Sequence, residues 1–490
     1  MIKKESDMNT NHTPSRRKML MLAAAAMSTG IIPILGHTDD DGHGDYDSDG
    51  QYASGSNTTF ALANTGLTGN IVVIGGGMAG ITVAKYLRLW GGSGVQVTLV
   101  EPNLTYTSNI MSNLVLNNSR TLSSLAYGYT SVATKYGVVV KQASVQSINA
   151  TAKSVTLSDG TALTYDRLVV APGVEFMDGV NGYGLTQSDY ANKTPHAWQA
   201  GPQTELLKTQ LAGMPNNGVF VMTIPKAPYR CPPGPYERAC LVADFLKNYK
   251  GSASKVIVLD ENASIQAEVD NFTYAFNTVH RGVIDYRPGV TGIQINPDTK
   301  AVTYLDQLGL SATINAHVVN PIPPHRAAGS SAGGWLANAG LNNSLSNGVP
   351  DGRWCVVDVL TYESTAVAGV HVIGDAASCG LPKAGHVANQ EAKICADAII
   401  RALAKQPPDS APVANSACYS PITASTASWL TAVYQYDATT RKMVVAANGG
   451  VTAGAKATEA AGSRPGDGIT RANFQQMNTW FNTLMGDSFA

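Results

Sequence analysis

The stretch Ile71-Val72-Val73-Ile74-Gly75-Gly76-Gly77-Met78-Ala79-Gly80, followed downstream by Gln96-Val97-Thr98-Leu99-Val100-Glu101, decides the fold. Ile71 to Ile74 is an unbroken apolar run and reads as a parallel strand buried on both faces. Gly75, Gly77 and Gly80 hold G-x-G-x-x-G spacing, and Gln96 to Val100 supplies the next strand. Each glycine has its own task. The first permits the tight turn, the second lets a pyrophosphate approach the backbone, and the third brings helix and strand together. Helix N–H groups then face the phosphates. Glu101 stands about twenty residues past the glycines, where an acid accepts hydrogen bonds from ribose hydroxyls. A glycine turn alone fits any α/β unit; strand, turn, helix and terminal acid together predict a bound dinucleotide.

The chain has 490 residues, more than one ordinary core holds, so two or three domains are expected. Its net charge is -1 and 14% of its residues are charged, which excludes the basic footprint of a nucleic-acid binder. Ser15-Arg16-Arg17-Lys18 precedes an apolar run from Met19 to Ala26, broken soon after by Pro33 and Gly36. This reads as a twin-arginine export leader over residues 1–36, without a sharp A-x-A cleavage site. The run is marginal for spanning a bilayer, and nothing after it reaches about 18 apolar residues, so no membrane span is expected in the mature protein. The twin-arginine route carries folded proteins, which suits a chain that acquires its cofactor before export to a periplasmic or other external compartment. Residues 37–69, rich in Asp, Gly, Ser, Thr and Asn, read as a disordered linker. Asp45, Asp47, Asp49 and Gly50 match the start of a calcium loop, but its twelfth position is Ser56 rather than a bidentate Glu, so no metal site is assigned.

The six cysteines, Cys231, Cys240, Cys355, Cys379, Cys395 and Cys418, show neither C-x-x-C nor C-x-x-C-H spacing. Metal-ribbon and haem-attachment readings therefore have no support. In an oxidising compartment the default is one or more disulfides, with the pairing left open by counting.

From Asn70 strands and helices alternate. Lys153 to Leu157 and Thr161 to Leu163 flank Ser158-Asp159-Gly160, a hairpin signal, and Leu168 to Pro172 is an apolar strand. A second nucleotide-type unit starts at Val219 to Ile224, with a helix near Glu237 to Tyr249 and a strand at Lys255 to Leu259. Its turn, Pro225-Lys226-Ala227-Pro228-Tyr229-Arg230-Cys231-Pro232-Pro233-Gly234-Pro235, carries prolines where a nicotinamide site needs glycines. Prolines lack N–H donors and make a poor phosphate cradle. Downstream, Gly369 to Ile373 is a further strand leading into Gly374-Asp375-Ala376, with a helix near Asn389 to Leu403 and a mixed tail.

Gly369-Val370-His371-Val372-Ile373-Gly374-Asp375-Ala376 resembles the second flavin motif of the two-dinucleotide-domain flavoproteins, which include disulfide reductases. The resemblance implies that Asp375 contacts the ribityl chain and that the following helix points its N-terminus at the flavin. A helix start stabilises negative charge on the reduced ring. Asp375 read alone also fits a strand-end N-cap. With the glycine turn and Glu101, the motif predicts FAD as the fixed cofactor.

The segment Tyr229-Arg230-Cys231-Pro232-Pro233-Gly234-Pro235-Tyr236-Glu237-Arg238-Ala239 resembles the flavoprotein subunit of flavocytochrome c sulfide dehydrogenase. Glu101-Pro102-Asn103, Ser112-Asn113, Pro195-His196-Ala197-Trp198, Pro321-Ile322-Pro323-Pro324, Trp354-Cys355, Pro382-Lys383 and Trp480-Phe481-Asn482 fit the same family, so the likeness runs from Asn70 to Ala490. The fold so implied is α/β, with two Rossmann-like domains in a glutathione-reductase-like arrangement and a C-terminal α+β domain. Its expected parts are residues 70–185 for the first part of the FAD domain, 186–320 for the second Rossmann-like domain, 321–410 for the return to the FAD domain, and 411–490 for an interface domain. Expected cofactor-binding residues are Gly75, Gly77, Ala79, Gly80, Glu101, Pro102, Asn113, Val145, Gly173, Gly374, Asp375 and Lys383. The resemblance also implies a disulfide between Cys231 and Cys355 beside the flavin, with Glu237 close to it.

Those residue types suit sulfur chemistry. Hydrosulfide attacks a disulfide sulfur and releases the other cysteine as thiolate, a departure favoured by a low thiol pKa. Cys231 precedes a Pro-rich helix start, whose dipole is expected to stabilise a thiolate. Glu237 is placed to move a proton during attack or release. A structural disulfide is the alternative for the same pair. Any haem must belong to another polypeptide, and the resemblance implies a cytochrome c subunit contacted in part by the C-terminal domain. Trp429, Tyr434, Tyr436, Trp480 and Phe481 fit either that interface or local core. Relatives with covalent flavin carry a cysteine where this chain has Asn109, and neither Thr107, Ser108 nor Asn109 makes a thioether, so noncovalent FAD is expected. Cys240, Cys379, Cys395 and Cys418 are left over, Cys379 near the flavin motif but otherwise suited to a buried structural role.

The expected function is an exported FAD-dependent sulfide dehydrogenase that converts sulfide to sulfane sulfur or polysulfide and passes electrons to a c-type cytochrome. Three alternatives stand beside it. A nicotinamide-dependent disulfide reductase is opposed by the proline-rich turn. A quinone-reducing enzyme on the membrane surface wants an amphipathic C-terminus, whereas Gly486-Asp487-Ser488-Phe489-Ala490 reads as the end of a short, mixed helix. An accessory flavoprotein that keeps a sulfur-carrier protein active needs the same flavin and disulfide.

Overall fold

Around β1 (Gly69–Ile74) the chain builds a parallel sheet. The computed structural model describes residues 61–447, 450–451 and 457–490, so the leader and the calcium-like stretch lie outside the described residues. Helix α1 (Met78–Gly91) links β1 to β2 (Val95–Val100), and β3 (Val139–Lys141) and β4 (Arg167–Val170) follow. A return strand, Val370–Val372, arrives from far downstream. The order is return strand, β4, β1, β2, β3, every pair parallel, with Ile71 registered against both Val97 and Arg167. Sitting between β2 and β4, Ile71 to Ile74 are buried, which is why the run is apolar without alternation. The Ser158-Asp159-Gly160 hairpin forms as expected, with Gly160 at φ +81° joining strands Ser154–Leu157 and Ala162–Thr164.

A second parallel sheet holds β5 (Val219–Ile224), β6 (Lys255–Asp260), β7 (Ile284–Pro288) and β8 (Val318–Pro321) in the order β7, β6, β5, β8. Helix α2 (Gly234–Tyr249) links β5 to β6 and begins three residues earlier than the sequence reading set it. An antiparallel meander of Thr291–Ile295, Ala301–Leu305 and Ser311–Asn315, not foreseen, fills the span between β7 and β8. Helix α3 (Gly385–Leu403) follows the return strand and packs on α1 so closely that a Cβ on Gly91 would stand 2.7 Å from Ile400.

The C-terminal part is an antiparallel sheet of β9 (Val413–Pro421), β10 (Ala427–Asp437) and β11 (Lys442–Ala447), followed by α4 (Arg471–Phe489). The expected short final helix is in fact 19 residues long, starting from a Thr470 cap that accepts from the Asn473 amide at 3.0 Å. Its buried Met477, Phe481, Leu484, Met485 and Phe489 recur at helical spacing, and the polar residues between them hid the pattern. Phe481 and Tyr434 are core residues. No helix among the described residues is long and apolar enough to cross a membrane.

Candidate active site

One elongated cavity of about 1180 Å³ lies at the carboxyl ends of the first sheet, where Ile74, Val100, Ala171 and Ile373 end or follow their strands. Parallel α/β sheets bind ligands at that edge. The volume exceeds the ~300–1,000 Å³ of ordinary small-molecule pockets and suits a ligand as long as a dinucleotide.

At one end the glycine turn takes the predicted shape. Gly75 stands at φ +93° and donates from its amide to Val100 O, and a Cβ there would lie 2.3 Å from Ala171 O. A Cβ on Gly80 would lie 1.7 Å from Gly75 O, so the third glycine sets the approach of α1 to β1 and does not face the cavity. At Gly77 a Cβ would meet nothing nearer than Tyr106 at 3.7 Å, which leaves open space over the start of α1 for a phosphate. Glu101 is fixed by three donors: the Gly76 amide at 2.7 Å, the Asn103 amide at 2.9 Å and Asn103 Nδ2 at 2.6 Å. Pro102, Ala79, Val145 and Gly173 line the same wall.

Beside the start of α1, where a Cβ on Gly374 would lie 3.0 Å from Ala79, Gly374, Asp375 and the first residues of α3, Gly385 and His386, face the same space. Lys383 does not. Its ammonium donates to Asp375 O and Ala377 O and lies 3.8 Å from the centre of the Trp354 ring, while its own carbonyl accepts from the Cys231 amide. It joins the flavin motif to the cysteine. Cys379 donates to Glu391 at 3.1 Å, and Glu391 accepts from the Gly374 amide at 2.6 Å, so that thiol supports the motif from behind.

Cys231 and Glu237 reach the cavity from the turn before α2 and from its first turn. Cys231 holds a left-handed φ of +59°. Burial pushes its thiol up to about 12 and nearby Glu237 adds to this, against the opposing pull of Arg230 and the Gly234 amide. The expected thiolate stabilisation by the helix start is therefore outweighed, because loss of water acts on the whole charge and the dipole supplies only a partial one. All six cysteines are free thiols, so the Cys231–Cys355 bond implied by the resemblance is not made in this structure. Cys355 is buried in the short strand Cys355–Val356, paired with Ala377–Ser378, and does not line the cavity.

Burial also pushes the Glu237 carboxyl up to about 8, opposed by a 2.8 Å hydrogen bond from Asn113 Nδ2. Asn113 is oriented in turn by buried Arg238, whose Nε donates to Asn113 Oδ1 at 2.8 Å and whose other nitrogens donate to His196 O, Asn320 Oδ1 and Ala197 O. Arg230, given no role in the sequence reading, lines the cavity beside Cys231 with its Nη2 buried and without a hydrogen-bond partner. A cation next to a candidate nucleophile was the available signal. Tyr106, Tyr129, Trp198 and Cys418 also line the cavity, and no local pattern marks them because distant packing brings them there. Asn109 lines it too, its Oδ1 accepting from the Ala200 amide at 2.8 Å.

In the turn of the second sheet the Lys226 amide donates to the Glu261 side chain and the Ala227 amide to the Asn262 side chain, both just after β6. One glycine cradle, one anchored acid and thiols lining the same cavity define a dinucleotide-binding redox protein. Residues 69–203 match the pyridine nucleotide-disulphide oxidoreductase family, and residues 204–323 match the central region of the flavoprotein chain of flavocytochrome c sulfide dehydrogenase. The two matches support a flavoprotein of the FAD/NAD disulfide oxidoreductase superfamily, with a flavin, FAD, as cofactor.

Among solved structures, the sulfide:quinone oxidoreductase of Aquifex aeolicus superposes with a TM-score of 0.67 at 17% identity, covering 86% of this chain and 91% of that one. A NAD-dependent persulfide reductase from A. fulgidus gives 0.51 at 15% identity, over 75% and 71% of the two chains. At such identities the likeness is one of fold. The ferredoxin–NAD(+) reductase component of the p-cumate 2,3-dioxygenase system of Pseudomonas putida is 38% identical over 112 residues, 21% of this chain and 26% of that protein. The aligned part thus spans about a quarter of that relative's length.

Proposed function

We propose that this flavoprotein oxidises sulfide to sulfane sulfur and passes the electrons to a c-type cytochrome after export through its twin-arginine leader. The observation that carries this reading is Cys231 and Glu237 lining the flavin cavity from within the segment that matches the sulfide dehydrogenase family. FAD, when bound, supplies a two-electron acceptor. The protein supplies the sulfur chemistry. With Cys231 and Cys355 oxidised to a disulfide, hydrosulfide attacks one sulfur, a new S–S bond forms to the incoming atom, and the other cysteine leaves as thiolate. Glu237, protonated at neutral pH because it is buried, gives a proton to the leaving sulfur and takes one back on product release. Arg230 stabilises negative charge at Cys231 and Asp375.

A haem-bearing partner is required because the chain has no haem-attachment spacing. The proline-rich turn, whose Lys226 and Ala227 amides are taken up by the Glu261 and Asn262 side chains, argues against a nicotinamide as donor. Noncovalent FAD follows from Asn109, and acid precipitation should leave the flavin in the supernatant. The deciding experiment is an anaerobic absorbance titration of the purified FAD-bound chain with sodium sulfide and, separately, with NADH. Bleaching by sulfide alone, reversed by cytochrome c and not by a soluble quinone, is the expected result. Bleaching by NADH alone overturns the reading in favour of a nicotinamide-dependent reductase.

A further inference from the structure

The flavin cavity is lined by two thiols, Cys231 and Cys418. Cys418 lies in β9, registered against Leu430 of β10, and brings the C-terminal sheet to the cavity wall. The strand is pinned on both sides of it. The Ala417 amide donates to His386 Nδ1 at 3.0 Å, next to the flavin motif's helix start, and Ser420 Oγ donates to buried Glu268 at 2.5 Å. Strand β9 is thus fastened both to the FAD-binding layer and to the connection between β6 and β7 of the second sheet, which holds the Cys418 thiol at the cavity. Burial and the charges of Cys231, Glu268 and Glu237 all raise the Cys418 thiol, so it shares an electrostatic environment with the Cys231–Glu237 pair. The Cys355 thiol responds instead to Lys383.

We propose that Cys418 is the sulfur-accepting thiol of this cavity, taking the outer sulfur of a persulfide formed on Cys231. Glu237, ionised once it has given its proton to the sulfur that leaves as the persulfide forms, takes the proton from Cys418. The resulting thiolate attacks the outer sulfur, forming a bond between that atom and Cys418 Sγ and breaking its bond to Cys231 Sγ. Cys231 leaves with the bonding electron pair and receives the proton back from Glu237. Nothing is oxidised or reduced in this exchange, so it needs no further reagent. The sulfane atom stays on the protein while Cys231 is freed, which places the product on the C-terminal sheet for an incoming thiol or a further sulfur atom. The inference rests on the proposed function only in requiring a persulfide at Cys231.

The test loads that persulfide without sulfide oxidation. The purified FAD-bound full chain is treated anaerobically with glutathione persulfide, alkylated with iodoacetamide, digested and mapped by mass. In the unsubstituted chain the extra sulfur is expected on the peptide carrying residue 418. In Cys418→Ser it should remain on Cys231, and in Cys231→Ser the label on Cys418 should be lost. Three outcomes overturn the hand-off: label confined to Cys231 in the unsubstituted chain, label on Cys418 undiminished in Cys231→Ser, or no label on either. The two claims fail separately. Hand-off without bleaching by sulfide sinks the proposed function alone, and bleaching by sulfide with Cys418 unlabelled sinks this inference alone.

Discussion

A single missing methyl group shapes the thiol end of the cavity. Cys231 holds a left-handed φ, and a Cβ on Gly234 would stand 2.8 Å from Cys231 Sγ and 2.9 Å from the Trp198 ring. Gly234→Ala must therefore displace the sulfur or the indole. A shift of about 1 Å in a reacting group costs on the order of 100-fold in rate, and a drop of that size is expected in stopped-flow flavin reduction by sulfide. FAD content should be unchanged, because Gly234 lies at the start of α2, far along the chain from the glycine cradle. An unaltered rate means that the sulfur's position is not what limits the reaction. Arg230 is the second residue on which the thiol depends. It pulls the Cys231 thiol down while burial and Glu237 push it up. Arg230→Gln should shift the pH profile of Cys231 alkylation toward higher pH, read by peptide mapping after timed iodoacetamide exposure. An unshifted profile removes Arg230 from the account of thiol activation.

At the scale of elements, α4 is the piece that most changes the picture. Phe489 stacks on Tyr106 with ring centres 5.3 Å apart and contacts Tyr127 and Tyr129, and the Tyr106 and Tyr129 rings in turn line the cavity beside the glycine turn. Lys85 of α1 donates to Asp487 O and Ala490 O, and Tyr86 donates to Asp487 Oδ1. The last turn of α4 thus braces the wall that would hold the pyrophosphate. Phe489→Ala should cost about 3–5 kcal/mol of stability, as for other buried aromatics, and lower the FAD content measured from the ratio of flavin to protein absorbance. Full FAD retention at reduced stability would confine α4 to a scaffold role. The same helix shows what the sequence conceals. The β1–α1–β2 unit was legible because its turn, packing glycine and acid interact within some thirty residues, as Gly76 with Glu101 shows. The proline-rich turn was legible for a like reason, since missing donors are a property of the residues themselves. Placement of Cys418, Tyr106 and Trp198 at one cavity depends on contacts between distant segments. The charge state of Cys231 was misjudged because a helix start is visible in sequence, whereas the burial that overrides it is not.

For the whole molecule, buried ionisable groups make stability depend on pH in two opposed ways. Burial raises Glu237 to about 8 and Glu268 and Glu391 to about 7, from an ordinary 4.5. Between 4.5 and those values the folded chain holds protons that the unfolded chain has released, so these acids stabilise the fold at low pH and lose that effect as pH rises. Buried His325 is lowered to about 3, and His371 and His386 to about 4, from 6.5. Over that range the unfolded chain binds the extra protons, so stability rises with pH up to about 6.5. The two sets oppose each other between 4.5 and 6.5. Above about 7 Glu237 is the acid of the three that still holds most of its proton, and stability at saturating FAD should fall toward pH 8. Glu237→Gln keeps the Oε1 acceptor for Asn113 while removing the ionisation. In urea unfolding, the variant's curve should decline less steeply between pH 7 and 8 than the parent's, with the acid limb below pH 4.5 alike in both. Parallel declines in the two proteins would mean that Glu237 is ionised in the fold at neutral pH, and it would then have no proton to give in the sulfur chemistry assigned to it.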